Sequence, residues 1–266
     1  MRMIRRRDIL QKGKVKHVDF DPANFLCLLA EIEYDGNLYT LKEHYESEVI
    51  TSFLYNKKTG KHVDTRKYKF SDLFKIGNDK LPHAVFNIGS ASDCEAYERG
   101  ECQLQDGGCY AYRDENMYKF PLWYRRRQEV FFRHMTAMRL AELMLELIGD
   151  KASVLRFNEA GEFRSVADVE KVNSIAMYIS YYGIKTYTYS ARMFDWDTIN
   201  IRHVTVIGSD RLGLDGQFIA VKGAEEAYKI LTKIGFRCMI CPADCNKCSA
   251  CPDNKKNKLI IIAEKH

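Results

Sequence analysis

Val154-Leu-Arg-Phe157, then Asn158-Glu-Ala-Gly-Glu162-Phe163, then Ser165 through Ser190 is the stretch that decides the fold. The first piece sets three apolar side chains about one arginine, has the length of a short strand and leaves through a polar turn. Ser165 with Asp168 marks a helix start, and Val169, Val172, Ala176 and Ile179 recur at the spacing of one buried helical stripe. Gly183 ends that helix, and Lys185-Thr-Tyr-Thr-Tyr-Ser190 has the β-branched and aromatic content of a strand. A strand, a helix and a second strand in that order predict a parallel pair joined by a crossover.

The same alternation extends both ways. Upstream, Ala84-Val-Phe-Asn-Ile88 reads as a strand that empties into Gly89-Ser-Ala-Ser-Asp93-Cys94, a loop that runs on to Cys102 and, after Gly107-Gly108, to Cys109. One long helix is then expected to about Ile148, with Phe131, Met135, Met138, Leu140, Met144 and Leu147 at helical spacing and Gly149 at its end. Downstream, His203–Ile207, Gln217–Val221, Phe236–Ile240 and Leu259–Ala263 read as strands, and Ala224–Ile234 as a helix stopped by Gly235. The pattern predicts an α/β core over residues 79–237, an open, partial or irregular parallel barrel, followed over 238–266 by a cysteine-rich metal loop and a last strand. Residues 1–78 read differently. Loose alternation from Phe25 to Thr40 about Asp35-Gly36-Asn37, and a second polar turn at Asn56–Gly60, predict a small, mostly β amino-terminal unit with a short helix.

Composition narrows the classes. The chain is 46% hydrophobic and 29% charged, ordinary for a soluble globular protein. Its longest apolar runs, Phe25–Ala30 and Leu259–Ala263, are too short to cross a bilayer, so no membrane partner is expected. The basic start, without an apolar segment after it, reads as no signal peptide, and an odd nine cysteines argue against a secreted disulfide framework. A cytoplasmic location is expected. A net charge of +5 is compatible with nucleic acid, with phosphorylated ligands or with neither.

Five of the nine cysteines, Cys238, Cys241, Cys245, Cys248 and Cys251, fall within fourteen residues. Thiolates this dense repel and oxidise unless something binds them. Structural zinc usually takes two Cys-x-x-Cys knuckles held a dozen or more residues apart. Cys241-x3-Cys245-x2-Cys248-x2-Cys251-Pro252 is instead a compact run in the style of ferredoxin ligation, which makes a closed 4Fe-4S cluster the first expectation, zinc the second and redox thiols the third. A second group, Cys94-x7-Cys102-x6-Cys109, would leave one iron of a cubane open to a substrate or to S-adenosylmethionine, would close a zinc site together with a histidine, or would be three unconnected buried thiols. Cys27, in an apolar run, reads as a small buried hydrophobe.

In parallel sheets functional residues gather at the carboxyl ends of strands. The expected exits carry Asp93 and Cys94, Glu159 and Glu162, Ser190 and Arg192, Ser209 and Asp210, Lys222, and Cys241, which predicts both cysteine groups on one rim. Glu162 and Glu159 are candidates for general base, and Glu162, Ser190, Arg192, Ser209 and Asp210 for cofactor binding. The bland alternative is a solvated acidic turn before a helix. Trp123-Tyr124-Arg125-Arg126-Arg127 mixes aromatics with cations and could contact nucleic acid, against the alternative of a solvated cationic helix start.

With these motifs in place, the chain resembles the phage gene product 88 family. The resemblance rests on Gly77-Asn-Asp-Lys-Leu-Pro82, on Cys94, Cys102 and Cys109-Tyr110-Ala111, on Arg156 through Phe163, on Tyr187-Thr-Tyr-Ser190, and on the closing cysteine run with His266. It covers roughly residues 77–266. It implies a phage or mobile-element origin, a host-cytoplasmic location, and an architecture similar to the partial barrel of radical S-adenosylmethionine enzymes, in which an acidic strand-end motif holds the methionine amino group. Glu162 stands where family members usually carry Asp. The expected function is an iron–sulfur protein with two cysteine-ligated centres and an electron donor as partner, with catalysis left open. The alternative is a zinc-bearing, nucleic-acid-binding accessory protein.

Overall fold

The computed structural model describes residues 5–16, 18–77, 81–102, 108–211 and 214–264. Asn78–Lys80, Gly107 and His266, which the sequence reading used, lie outside the described residues.

The amino-terminal unit is built on tight hairpins. Helix α1 (Arg6–Lys12) precedes strands β1 (Lys14–Lys16), β2 (Leu26–Tyr34), β3 (Asn37–Glu46), β4 (Val49–Asn56) and β5 (His62–Lys69), which form one antiparallel sheet in sequence order. Asp35 and Gly36, at φ 50° and 67°, make the expected two-residue turn, because positive φ at both positions matches the twist of the strands. Ser47 and Glu48, at φ 49° and 63°, repeat that geometry without the glycine that would have signalled it. Leu29, Leu41, Tyr45 and Ile50 share one buried core with Phe86, Phe131 and Leu155 of the second unit.

The second sheet contains β6 (Lys75–Ile76), β7 (Ala84–Phe86), β8 (Val154–Phe157), β9 (Lys185–Ser190), β10 (Thr205–Ser209), β11 (Gln217–Val221), β12 (Cys238–Ile240) and β13 (Ile260–Glu264). Its order is β12-β13-β11-β10-β9-β8-β7-β6, parallel throughout except between β6 and β7. The protein is therefore mixed α/β. The sheet is open: β12 and β6 stand at its two edges, and among the described residues no closed barrel is formed. The short link from β10 to β11 works because the strands are staggered, with Gly208 and Ser209 pairing Gln217 and Phe218.

The remaining helices are α2 (Glu95–Glu98), α3 (Tyr110–Met117), α4 (Lys119–His134), α5 (Ala137–Ile148), α6 (Val166–Ser180), α7 (Ala224–Lys233) and α8 (Asn254–Asn257). The single long helix expected up to Ile148 is broken. Thr136 is extended at φ −69° and ψ 158°, and its side chain accepts from the Arg139 backbone N–H, capping α5.

Candidate metal centre

Strand alternation gives the second sheet two different faces. Leu155, Phe157 and Val206 point to the helical side and join the main core, while Ile260 and Ile262 pack against α7. Val154, Tyr187, Ile207 and Ile261 point to the other side, where Tyr189, Phe218 and Met239 meet Cys241, Ala250 and Cys251. The loop between β12 and β13 thus lies over a sheet face, the place a crossover helix would otherwise fill. Buried Asn254 fastens its return, exchanging side-chain hydrogen bonds with the Leu259 N–H at 2.7 Å and the Leu259 carbonyl at 3.1 Å. Thr205 Oγ1 donates to the Pro252 carbonyl at 3.1 Å.

Cys241, Cys245, Cys248 and Cys251 all line one narrow cleft beneath this loop, together with His83, Met239, Asp244 and Ile261. Tyr189 Oη stands 2.9 Å from Cys251 Sγ. Burial pushes the Cys251 thiol up to about 11, against the Tyr189 hydrogen bond, and the other three thiols add to the rise. Cys245 is raised by burial and by its sulfur neighbours, with Arg156 acting the other way. As neutral thiols Cys245 and Cys251 are therefore poor ligands; bound to a cation they would ionise.

Arg156 is the residue that the sequence reading passed over. Its guanidinium lies 5.0 Å from the centroid of the Tyr189 ring. Its Nε is buried with no hydrogen-bond partner, and among the described residues it forms no ion pair within 4.0 Å. It feels Tyr110, Tyr187, Tyr189 and Glu159, which hold its charge in place against burial. Next to it, His83 Nδ1 and Tyr187 Oη are 3.1 Å apart. The signal was visible: one cation inside an otherwise apolar strand.

Cys238 does not belong to this set. Met239 takes the cleft side of β12, so Cys238 points to the other face, with Sγ 3.2 Å from Thr232 Oγ1 and packed beside α7. The expectation that both cysteine groups share one rim is also corrected. The tail cysteines cover the sheet's face, whereas Cys94 and Cys109 sit beyond strand ends, as the residues preceding α2 and α3.

At that rim the structure brings several expected residues together. Glu162, 5% exposed, accepts from the Phe163 N–H at 2.9 Å, the Ala191 N–H at 2.8 Å and Ser190 Oγ at 3.0 Å. Burial still pushes its carboxyl up to about 7. The Cys94 thiol is pushed up to about 12, by burial first, then by Glu162, with a smaller contribution from Cys102. Arg192 pairs with Glu101 at 2.7 Å and also donates to the Phe163 carbonyl. Glu101 and Arg211, whose Nε donates to the Ala191 carbonyl at 2.8 Å, complete this knot and carried no sequence signal. Ser209 and Asp210 are instead engaged with Phe218 of β11. The Glu159 carboxylate lies 3.9 Å from Arg125, and its carbonyl accepts from Tyr110 Oη at 2.5 Å. Cys109 packs among Ala91, Ala111 and Ala160.

The arginines expected to contact nucleic acid point inward. Arg125, Arg126 and Arg127 are 4%, 3% and 6% exposed and pair with Glu115, Asp93 and Glu43 at 2.8, 2.6 and 2.7 Å. Tyr124 is half-buried and packs against the main core. Neither the phosphate-binding face nor a solvated helix start is what these side chains form.

Among the described residues, no group of three or more His, Cys, Asp or Glu side chains is arranged to hold a single metal ion, and no helix is long and apolar enough to cross a membrane. Comparison with protein-family models, curated proteins and solved structures found no match.

Proposed function

We propose that this is an iron–sulfur protein whose tail loop holds a 4Fe-4S cluster on Cys241, Cys245, Cys248 and Cys251. The observation that carries the reading is the shared cleft of these four thiols, with the Tyr189 hydroxyl on Cys251 and the unpaired Arg156 alongside. A cubane takes one thiolate per iron, and the compact spacing of these four cysteines is of that style. Four thiolates also make an anionic site, and a half-buried guanidinium with no carboxylate within 4.0 Å is what such a site would complement. When bound, the cluster supplies one-electron chemistry. The chain's own contribution is to hold four sulfurs over an apolar sheet face, shield them from water and place one hydroxyl and one cation beside them.

The finer reading adds a second centre at Cys94, Cys102 and Cys109, with S-adenosylmethionine as its ligand and Glu162 holding the amino group. The partial-barrel architecture and phage family suggested by the sequence motifs belong to this reading. Its support is that the Cys94 thiol feels the charge of Glu162 and, less strongly, of Cys102. Glu162 already accepts three protein donors, so a ligand amine must share them.

Anaerobic purification with metal and sulfide analysis tests the main reading: bound iron and sulfide with absorbance near about 400 nm is the expected result. Stoichiometric zinc in a colourless protein overturns it. Binding of S-adenosylmethionine, abolished in Cys94→Ala, tests the second centre.

A further inference from the structure

We propose that Arg156 and Tyr189 set the reduction potential of the cluster in the tail cleft, which makes this centre an electron-transfer site and not only a clamp for the loop. The inference rests on the iron–sulfur reading and adds to it the residues that govern its redox step. Reduction would add one electron, from an external one-electron donor, to the group that Cys241, Cys245, Cys248 and Cys251 would hold; no bond would form or break and no proton would move. The reduced state carries one more negative charge. Groups that present positive charge or a hydrogen bond to the sulfurs favour that state and raise the potential.

One of each stands beside the cysteine loop. Tyr189 Oη lies 2.9 Å from Cys251 Sγ, and as a phenol beside a metal-bound thiolate it donates. Arg156 supplies the fixed cation: it sits 5.0 Å from the centroid of the Tyr189 ring, whose hydroxyl reaches Cys251, and its Nε has no protein partner. Elsewhere in this protein buried arginines are matched to carboxylates, as Arg125, Arg126 and Arg127 are. Arg156 is the contrast: among the described residues no carboxylate lies within 4.0 Å of it, and Glu159 acts on it only from farther away. Both groups project from adjacent parallel strands, β8 and β9, and not from the ligand loop. Their position is therefore held by the sheet ladder whether or not the loop is loaded. Both are positioning residues; neither is a ligand.

The test is a potentiometric titration with dithionite of the anaerobically purified full chain, followed by visible absorption. It compares wild type with Tyr189→Phe, Arg156→Lys and Arg156→Met. Iron and sulfide content is expected to match in all four. The potential is expected to fall in Tyr189→Phe, to fall further in Arg156→Met and to return most of the way in Arg156→Lys. Equal potentials at equal iron content overturn the inference and leave the cluster standing. A wild-type protein that binds zinc, or iron without sulfide, overturns the iron–sulfur reading itself. If Arg156→Met loses its iron, Tyr189→Phe decides alone: an unshifted potential overturns the inference and a lowered one supports it.

Discussion

Gly161 stands so close to Gly89 that a Cβ built on it would lie 2.5 Å from both the carbonyl carbon and the oxygen of Gly89. The two strand exits that lead to Cys94 and to Glu162 cross at this point, backbone against backbone. Gly161 also has φ 77°, a conformation that L side chains rarely adopt. No flexible side chain is available to give way.

Gly161→Ala is therefore expected to destabilise the fold by about 3 kcal/mol or more, combining overpacking with left-handed backbone strain. Gly36→Ala is the control. Its φ is 67°, with nothing within 4 Å of the added carbon, so only the backbone cost of about 1 kcal/mol remains. Urea denaturation midpoints of the two variants, at unchanged slope, measure the difference.

Cys238 and Cys251 flank the same motif and occupy opposite faces of the sheet. Cys238→Ser is expected to keep its full iron and sulfide content, and Cys251→Ser to lose most of its visible absorbance. Metal analysis of the two purified variants checks this, and equal loss in both would remove the assigned ligand set.

Arg127 holds Glu43, whose side chain is wholly buried, through 2.7 Å and 3.2 Å contacts. Removing one partner of such a pair strands the other charge. Arg127→Ala should cost about 3–5 kcal/mol of stability. The loss should persist at high salt, because a buried pair is little screened. Chemical denaturation at two ionic strengths distinguishes this from a surface cation, whose removal would cost far less.

Glu48 and Arg139 join the β3–β4 turn to α5, with Nε–Oε1 at 2.6 Å and Nη2–Oε2 at 2.9 Å. The hydrogen bond from Arg139 holds the Glu48 carboxyl below its usual value of 4.5. A lowered folded value means that the pair stabilises above pH 4.5 and that this contribution is lost as pH falls through the lowered value. Glu48→Gln should lower the melting temperature slightly at pH 7, and its gap from wild type should close on acidification below 4.5. A gap that stays constant to strongly acid pH would exclude the pair as its source. The effect is small, since both side chains are more than two-fifths exposed.

Local pattern carried much of this protein. Lys185–Ser190 and Gln217–Val221 are strands at the boundaries that their composition predicts, and Val166–Ser180 is the helix that its apolar stripe predicts. These elements depend on spacing within a few residues, which a chain displays without its fold. The four-cysteine run was legible for the same reason: its thiols are neighbours in sequence.

What the tertiary structure alone decided is which distant residues meet. Arg126 and Arg127 look like a solvated cationic start until the chain brings Asp93, 33 positions away, and Glu43, 84 positions away, against them. Arg156 looks like a blemish in a strand until the tail loop folds back over its face. Insertion of β13 between β11 and β12 sends that loop across the sheet and not along its rim. Such pairings are fixed by topology and by the cost of burying a charge without a partner, and neither is written in any local window of residues.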